Sequence, residues 1–339
     1  MNRSHFLDYL KGIAIFLVVW GHSIQHFSTG YETSENGLFM FIYSFHMPLF
    51  MTISGYLFAF SKKRKELELM VKTKATQLLI PVFSWAILMV VLSYYKELFS
   101  ADLKHSVLLF IKSYISILPY YLWFLWALFV ISILVSVIAS KFKDRVTLHI
   151  LVFGLLLCLT DRFGLMYIKF MYPYFLFGYF YNLYREKFVA WEKPLTYLSF
   201  VVFPVLLFFF WSKEDLIYQS GMSLYKPEVL KVVLISLKRY VIGFTGMVVV
   251  VTILRRLLYF PKVTFITKMG TLSLGIYIIQ TILFQGIDIF APVTTMNDYL
   301  YTFGYTLALS VVMIVICMYL TSIISKIPVI GKALFGGRY

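Results

Sequence analysis

Charge is scarce in this chain. Asp, Glu, Lys and Arg make up 14% of its 339 residues, against about 25% in globular domains. So little charge cannot cover the surface of a soluble fold of this length. Acidic residues are scarcer still, 16 against 31 Lys and Arg, which leaves a net charge of +15. Cysteine is nearly missing: Cys158 and Cys317 both lie inside apolar stretches, which excludes a disulfide framework. The alternating strands and short turns of a β-barrel are absent. So are internal repeats, low-complexity tracts and any soluble domain. The N-terminus carries Asp8 and Lys11 at the edge of its apolar stretch and has no small-x-small cleavage site after it. It does not read as a cleavable signal peptide.

What fills the chain is hydrophobic: 60% of residues, 19% aromatic, with a mean hydropathy of +0.82. Apolar runs of about 18 residues or more recur, each long enough to cross about 30 Å of hydrocarbon. Backbone in lipid must satisfy its own hydrogen bonds, so these runs are helices. The expected fold is all-α: a polytopic integral membrane protein of about ten transmembrane helices, one membrane domain over residues 1–339. The expected spans are 9–27, 38–60, 77–95, 118–140, 146–160, 164–184, 195–211, 238–258, 265–290 and 300–324. The apolar segment 106–118 contains Lys112 and ends at Pro119, as suits an interfacial or re-entrant helix. The outer stretch 212–237 has the mixed polarity of a small ordered cap.

The basic residues punctuate the apolar segments in short clusters, which argues for anchoring beside anionic lipid and against nucleic acid. Lys62-Lys63-Arg64-Lys65 is the only dense run. About two thirds of the Lys and Arg residues fall on one side of the expected spans, and the richer side is cytoplasmic. The expected location is the cytoplasmic (inner) membrane, multi-pass, with both termini in the cytosol.

The first span carries the chemistry. It runs Ser4-His5-Phe6-Leu7-Asp8-Tyr9-Leu10-Lys11, then an apolar stretch, then His22. Eleven residues are about three helical turns, so Lys11 and His22 lie roughly 20° apart on one face. Asp8, Gln25 and His26 fall within about 60° of the same stripe. Ionisable groups inside a membrane are costly and point by default to function. For Asp8 and Lys11 the plain alternative is an interfacial ion pair that snorkels; for His22 it is a hydrogen-bonded histidine in the bundle interior. The second span returns through Phe45-His46-Met47-Pro48-Leu49-Phe50, which brings His46 to within roughly one turn of the depth of His22. A histidine pair can bind metal, but the acidic or thiolate ligands that complete such a site are missing nearby, so no metal is expected.

Weaker signals stand elsewhere. Lys238 and Arg239 open a span from its outer side and suit either an anionic glycan or lipid diphosphate, or interfacial anchoring. Tyr120, Tyr121, Trp123 and Trp126 suit sugar stacking or an aromatic belt. Asp161-Arg162 reads as an outer-surface ion pair, and His105 and His149 as structural.

The pattern Asp8-x-x-Lys11-Gly12-Ile13-Ala14 with His22, then Ser44-Phe45-His46-Met47-Pro48-Leu49-Phe50 and Ile53-Ser54-Gly55-Tyr56, resembles the acyltransferase-3 family of membrane O-acyltransferases. Leu78-Leu79-Ile80-Pro81, Leu122-Trp123-Phe124-Leu125 and Gly270-x-x-Ser273-Leu274-Gly275-Ile276-Tyr277 extend the resemblance along nearly the whole chain. Lys11 stands where most of the family has Arg, as in the fucose O-acetylase-like subgroup. The paired arginines usual before the third-span proline are represented by Lys72, Lys74 and Gln77. A glutamate common after the fourth-span Leu-Trp is absent, and Gln280 stands where His is frequent.

The resemblance implies an acetyl-CoA donor on the cytosolic side and a carbohydrate hydroxyl outside. Lys11, Asp8, Lys72 and Lys74 would face the polyanionic donor, since Lys suits phosphate as a compact point charge. His22 would act as general base, with His46 beside it, and Arg239, Gln25, His26 and Trp123 would meet the acceptor. The implied partners are acyl-CoA, a carbohydrate acceptor and membrane lipid, with no nucleic acid. The alternative reading is a transporter or flippase for a glycan or lipid-linked glycan, whose polar stripe lines a pathway.

Overall fold

Hydrocarbon admits only backbone that bonds to itself, and this chain meets that demand with helix alone. In a computed structural model, residues 5–27, 33–62, 66–100, 102–142, 144–225, 228–257, 264–286 and 297–339 are described. Of the described residues 87% are helical, with no strand among them. The helices are α1 (His5–Phe27), α2 (Gly37–Lys62), α3 (Leu67–Lys74), α4 (Ile80–Ser93), α5 (Tyr95–Ser100), α6 (Leu103–Ile117), α7 (Trp123–Lys141), α8 (Val146–Leu157), α9 (Leu165–Leu183), α10 (Arg185–Phe209), α11 (Ile217–Ser220), α12 (Val229–Leu257), α13 (Thr264–Thr271), α14 (Ser273–Gly286), α15 (Thr306–Ile324) and α16 (Pro328–Phe335). A π-helical turn at Ala75–Leu79 joins α3 to α4, and another at Leu300–Tyr305 leads into α15.

Helix occurs under every one of the ten expected spans. Seven stretches among the described residues are long and apolar enough to cross a membrane: α1, α2, α3 with α4, α7, α10, α12, and the turn at Leu300 with α15. The pair α13 and α14, bent by 76°, makes an eighth if it counts as one broken span. Expected spans 146–160 and 164–184 do not reach that standard. The first is the 12-residue α8, about 18 Å long against about 30 Å of hydrocarbon. The second, α9, is 19 residues long but carries a fully buried Lys169 and the fully buried Tyr172, Tyr174 and Tyr179. A helix wrapped by protein does not need an apolar surface. Helix α6 is 15 residues long, with Leu103, Val107, Leu108, Ile111 and Ile115 exposed. That is the form of the expected interfacial helix.

The described residues group by contact into two compact units, one within Met1–Ala59 and Pro173–Thr321, the other within Phe60–Tyr172 and Ser322–Tyr339. In the first, Tyr9, Leu10 and Ala14 of α1, Phe45, Leu49 and Ile53 of α2, Phe203 and Leu207 of α10, and Ile242, Met247 and Leu254 of α12 form one buried cluster. Helix α1 is buried on more than its polar stripe. Ile15, Val18, Val19 and Ile24 are covered as well, and a second set of bonds ties α1 to the α15 segment. Trp20 Nε1 donates to Thr306 Oγ1 at 3.1 Å, Ser310 Oγ to Ser23 Oγ at 2.9 Å and Tyr301 OH to the Ile24 carbonyl at 2.8 Å.

Two glycine pairs let backbones touch. A Cβ on Gly12 would overlap the Ile266 carbonyl, and one on Gly270 would overlap the Asp8 carbonyl. Helices α1 and α13 therefore pack backbone on backbone. Gly55 and Gly178 do the same for α2 and α9, meeting the Phe175 and Thr52 carbonyls.

In the second unit, Trp85 Nε1 of α4 donates to the Leu334 carbonyl of α16 at 2.7 Å. His149 Nδ1 lies 2.9 Å from Tyr172 OH, in keeping with the structural role expected for it. Lys169 Nζ reaches Asp161 Oδ1 at 3.1 Å and the Leu159 carbonyl at 2.5 Å. The partner the structure gives Asp161 is thus a lysine eight residues on.

The α1–α13 contact is testable by substitution. Gly270→Ala should lower the thermal midpoint in detergent by the equivalent of about 1–3 kcal/mol, as overpacked positions do. Gly154→Ala, at a glycine in open space, should be neutral or stabilise by up to about 1 kcal/mol. Equal midpoints for Gly270→Ala and wild type would contradict the contact.

Candidate active site

The α1–α2 hairpin carries Asp8, Lys11, His22, Gln25, His26 and His46, six of the residues that the sequence singles out. Helix α1 presents Asp8 and Lys11 three residues apart, and Lys11 Nζ lies 2.7 Å from Asp8 Oδ1. Both side chains are largely covered, so the pair sits inside the protein and not at a free interface. Eleven residues along the same face stands His22, about 16 Å further up the helix. Its Nδ1 lies 2.9 Å from Oε1 of Gln280 on α14. The ring of Phe284, one turn beyond Gln280, meets His22 edge to face at 6.3 Å and stacks flat on His26 at 5.3 Å. Gln25 and His26 are exposed, so the stripe opens at its C-terminal end.

Helix α2 supplies the facing wall. His46 is 3% exposed and its Nδ1 donates to the Ile42 carbonyl at 2.6 Å. A carbonyl only accepts, so Nε2 of the neutral ring is the nitrogen with the lone pair. Tyr43 links the two helices: its hydroxyl donates to Gln25 Oε1 at 2.7 Å and its ring lies 4.9 Å from that of His46. Pro48, two residues past His46, removes one N–H from the α2 ladder and packs near Gly243 of α12.

Tyr43, Phe284 and the pairing of Gln280 with His22 are what the sequence leaves unread. Tyr43 stands three residues before His46 and Phe284 four after Gln280, so both share a helical face with a polar residue. That spacing is the only signal available.

The remaining expected residues have other surroundings. Lys72 and Lys74, in α3, and Trp123, at the start of α7, belong to the second unit. Lys72 is exposed, and the Trp123 ring stacks on Tyr167 at 4.3 Å. Arg239, on α12, is 4% exposed. Its guanidinium donates to the Glu214 and Asp215 carbonyls, both at 2.9 Å, to the Gly221 carbonyl at 3.4 Å and to Ser220 Oγ. Lys238 beside it pairs with Asp215 Oδ2 at 2.8 Å. These two cations hold the segment 212–223, where Asp215 also accepts from the Ser212 amide at 2.8 Å. Of the expected cap at 212–237, the part at 212–223 is folded in this way, with Arg239 as its central fastener, and from Val229 onward the stretch is helix α12. Among the described residues no group of three His, Cys, Asp or Glu is placed to hold a metal.

Replacing Arg239 by Ala should strip the cap of its main donors, cost about 1–3 kcal/mol and expose residues 212–223 to protease. Arg239→Lys should not restore resistance, because one ammonium cannot span four acceptors. A cap as resistant in Arg239→Ala as in wild type would free the guanidinium for a ligand.

The comparisons with known proteins agree with this arrangement. Residues 4–322 match the family profile described as an acyltransferase domain. The nodulation protein NolL of Mesorhizobium japonicum is 26% identical over 360 residues, which cover 99% of this chain and 91% of that protein. The NolL of Sinorhizobium fredii is 28% identical over 255 residues, 72% of this chain and 66% of that protein. No solved structure matches. A profile that runs through α1 with His22, α2 with His46 and on to the end of α15 leaves one assignment, and the chain belongs to acyltransferase family 3, the integral membrane O-acyltransferases.

Proposed function

We propose that the protein moves an acetyl or other short acyl group from cytosolic acyl-CoA to a hydroxyl of an extracytoplasmic cell-surface polysaccharide or its lipid-linked precursor. The observation that carries this reading is the single helix α1, which holds the buried ion pair of Lys11 and Asp8 at one end and a partly covered imidazole about three turns further along the same face. A donor with anionic phosphates and a thioester at the end of a long arm suits such a spacing. Lys11, oriented by Asp8 at 2.7 Å, meets phosphate as a point charge.

The chemistry follows from the free nitrogen of His22. The acceptor hydroxyl gives its proton to the imidazole as its oxygen attacks the thioester carbonyl. The new C–O bond forms, the C–S bond breaks, and the proton passes from the imidazolium to the departing thiolate to give the CoA thiol. General-base assistance of this kind contributes about 10²–10⁴-fold. Gln25, Tyr43 and His26 line the outer opening and suit hydroxyl-rich acceptors, with His46 buried behind Tyr43; the exposed imidazole of His26, backed by Phe284, offers a sugar a flat face. Acyl-CoA is the donor substrate in this reading, and no metal takes part.

The proposed orientation puts both termini in the cytosol of a cell whose cytoplasmic membrane holds the protein. With Cys158 and Cys317 replaced by Ser, an impermeant thiol reagent should label Thr33→Cys on intact cells and should reach Lys63→Cys only after permeabilisation. The reverse pattern would overturn the orientation and the donor side with it.

The catalytic reading is checked by acetyl transfer from labelled acetyl-CoA in membranes with matched protein amounts. His22→Ala should lose about 10²–10⁴-fold in turnover while remaining inserted and monodisperse. Lys11→Ala should raise the KM for acetyl-CoA, and Lys11→Arg should keep most activity because the cation is retained. Mass spectrometry of surface glycans should find an acetyl mass that disappears with His22→Ala. Near-normal transfer by His22→Ala, or glycan export lost while acetylation persists, would favour transport instead.

A further inference from the structure

Gln280 is 0% exposed and comes from α14, a helix that a 76° bend turns away from α13. Its amide nitrogen has two acceptors on its own helix, the Tyr277 carbonyl at 3.2 Å and Thr281 Oγ1 at 2.9 Å. Thr281 Oγ1 donates to the same Tyr277 carbonyl at 2.7 Å, so towards Gln280 that hydroxyl oxygen can only accept. If the amide were turned over, its oxygen would face the Tyr277 carbonyl oxygen, and the Thr281 hydroxyl would have to abandon that carbonyl to reach it. The network therefore selects the orientation in which Oε1 points to His22. An amide oxygen only accepts, so the proton between Oε1 and His22 Nδ1, 2.9 Å apart, belongs to Nδ1.

We infer that Gln280 is the positioning residue for His22: it holds the imidazole in the Nδ1–H tautomer, with the bare Nε2 turned to serve as proton acceptor. The inference rests on the reading of His22 as general base and adds the group that makes it one. A neutral imidazole with its proton on Nε2 has no lone pair there and cannot take a hydroxyl proton. Serine hydrolases solve the same problem with an acceptor behind their histidine, where the wrong tautomer costs heavily. Here a neutral amide does it, which spares the membrane interior a buried carboxylate. The frame around the bond is stiff. Helix α13, the other arm of the bend, is locked onto α1 at Gly12 and Gly270, and Phe284 closes the second side of the ring.

The test separates tautomer from turnover. Nitrogen-15 NMR of histidine-labelled protein, with the His22 signals assigned by their absence in His22→Ala, should show a protonated Nδ1 and a bare Nε2 in wild type. Gln280→Leu should give a mixed or reversed tautomer. In acetyl transfer it should lower kcat about 10–100-fold, the range typical of groups that orient a catalytic side chain, with the acceptor KM little changed. Gln280→Glu keeps an accepting oxygen at the same length and should retain kcat to within a few fold. A protonated Nε2 in wild type, an unchanged tautomer in Gln280→Leu, or a loss in Gln280→Glu equal to that in Gln280→Leu would each overturn the proposal. Full activity in His22→Ala would instead remove the base itself, while the NMR result would still decide the tautomer. Should Gln280→Leu fail to fold, the wild-type spectrum and Gln280→Glu carry the decision.

Discussion

The structure around the site depends on one close approach, that of the α1 and α13 backbones at Gly12 and Gly270. Helices with side chains between them stay some 8–10 Å apart; glycine at the crossing lets them come nearer, as small residues do throughout membrane bundles. The contact lies beside Asp8 and Lys11. It also fixes the start of the bend at Leu272, and hence the direction in which α14 leaves. Shifting α13 outward by even the width of a methyl group would move Gln280 away from His22. The Lys11–Asp8 ion pair and the imidazole are thus held in register by a contact that contains no polar side chain.

The second constraint is that polar groups in hydrocarbon must find partners within the protein. Helix α1 meets it on several fronts. Lys11 is paired to Asp8, His22 to Gln280, and Trp20 and Ser23 to the α15 segment. Gln25 and His26 are exposed, yet Gln25 accepts from Tyr43 and His26 stacks on Phe284. A helix with polar residues on two faces can exist in a membrane only if neighbours cover both, and the depth of burial of α1 follows from that.

The same economy explains Arg239 and Lys169. Each is a buried cation in an apolar setting, and each is satisfied by carbonyl oxygens as well as by hydroxyl or carboxylate partners. Arg239 uses its fork to gather a loop, which a planar guanidinium does well and an ammonium does not. In both cases the local architecture is organised around the charge.

The sequence by itself determined the fold class, the helical segments and the stripe that joins Lys11 to His22, because hydrophobic run length and a 3.6-residue period are local properties of a chain. It also put His22 and His46 on the two arms of one short hairpin, α1 and α2. The tertiary structure alone decided which nitrogen of His22 is engaged, because its partner lies 258 residues away on a helix whose direction is set by a bend at Leu272. It alone turned α9 inward, so that a tyrosine-rich segment with a buried lysine is packed against protein, and gave Arg239 to the cap. Each of these depends on which surfaces meet across long separations. Composition and periodicity carry no record of that, since the same pattern of apolar and polar residues is compatible with many neighbours until packing selects one.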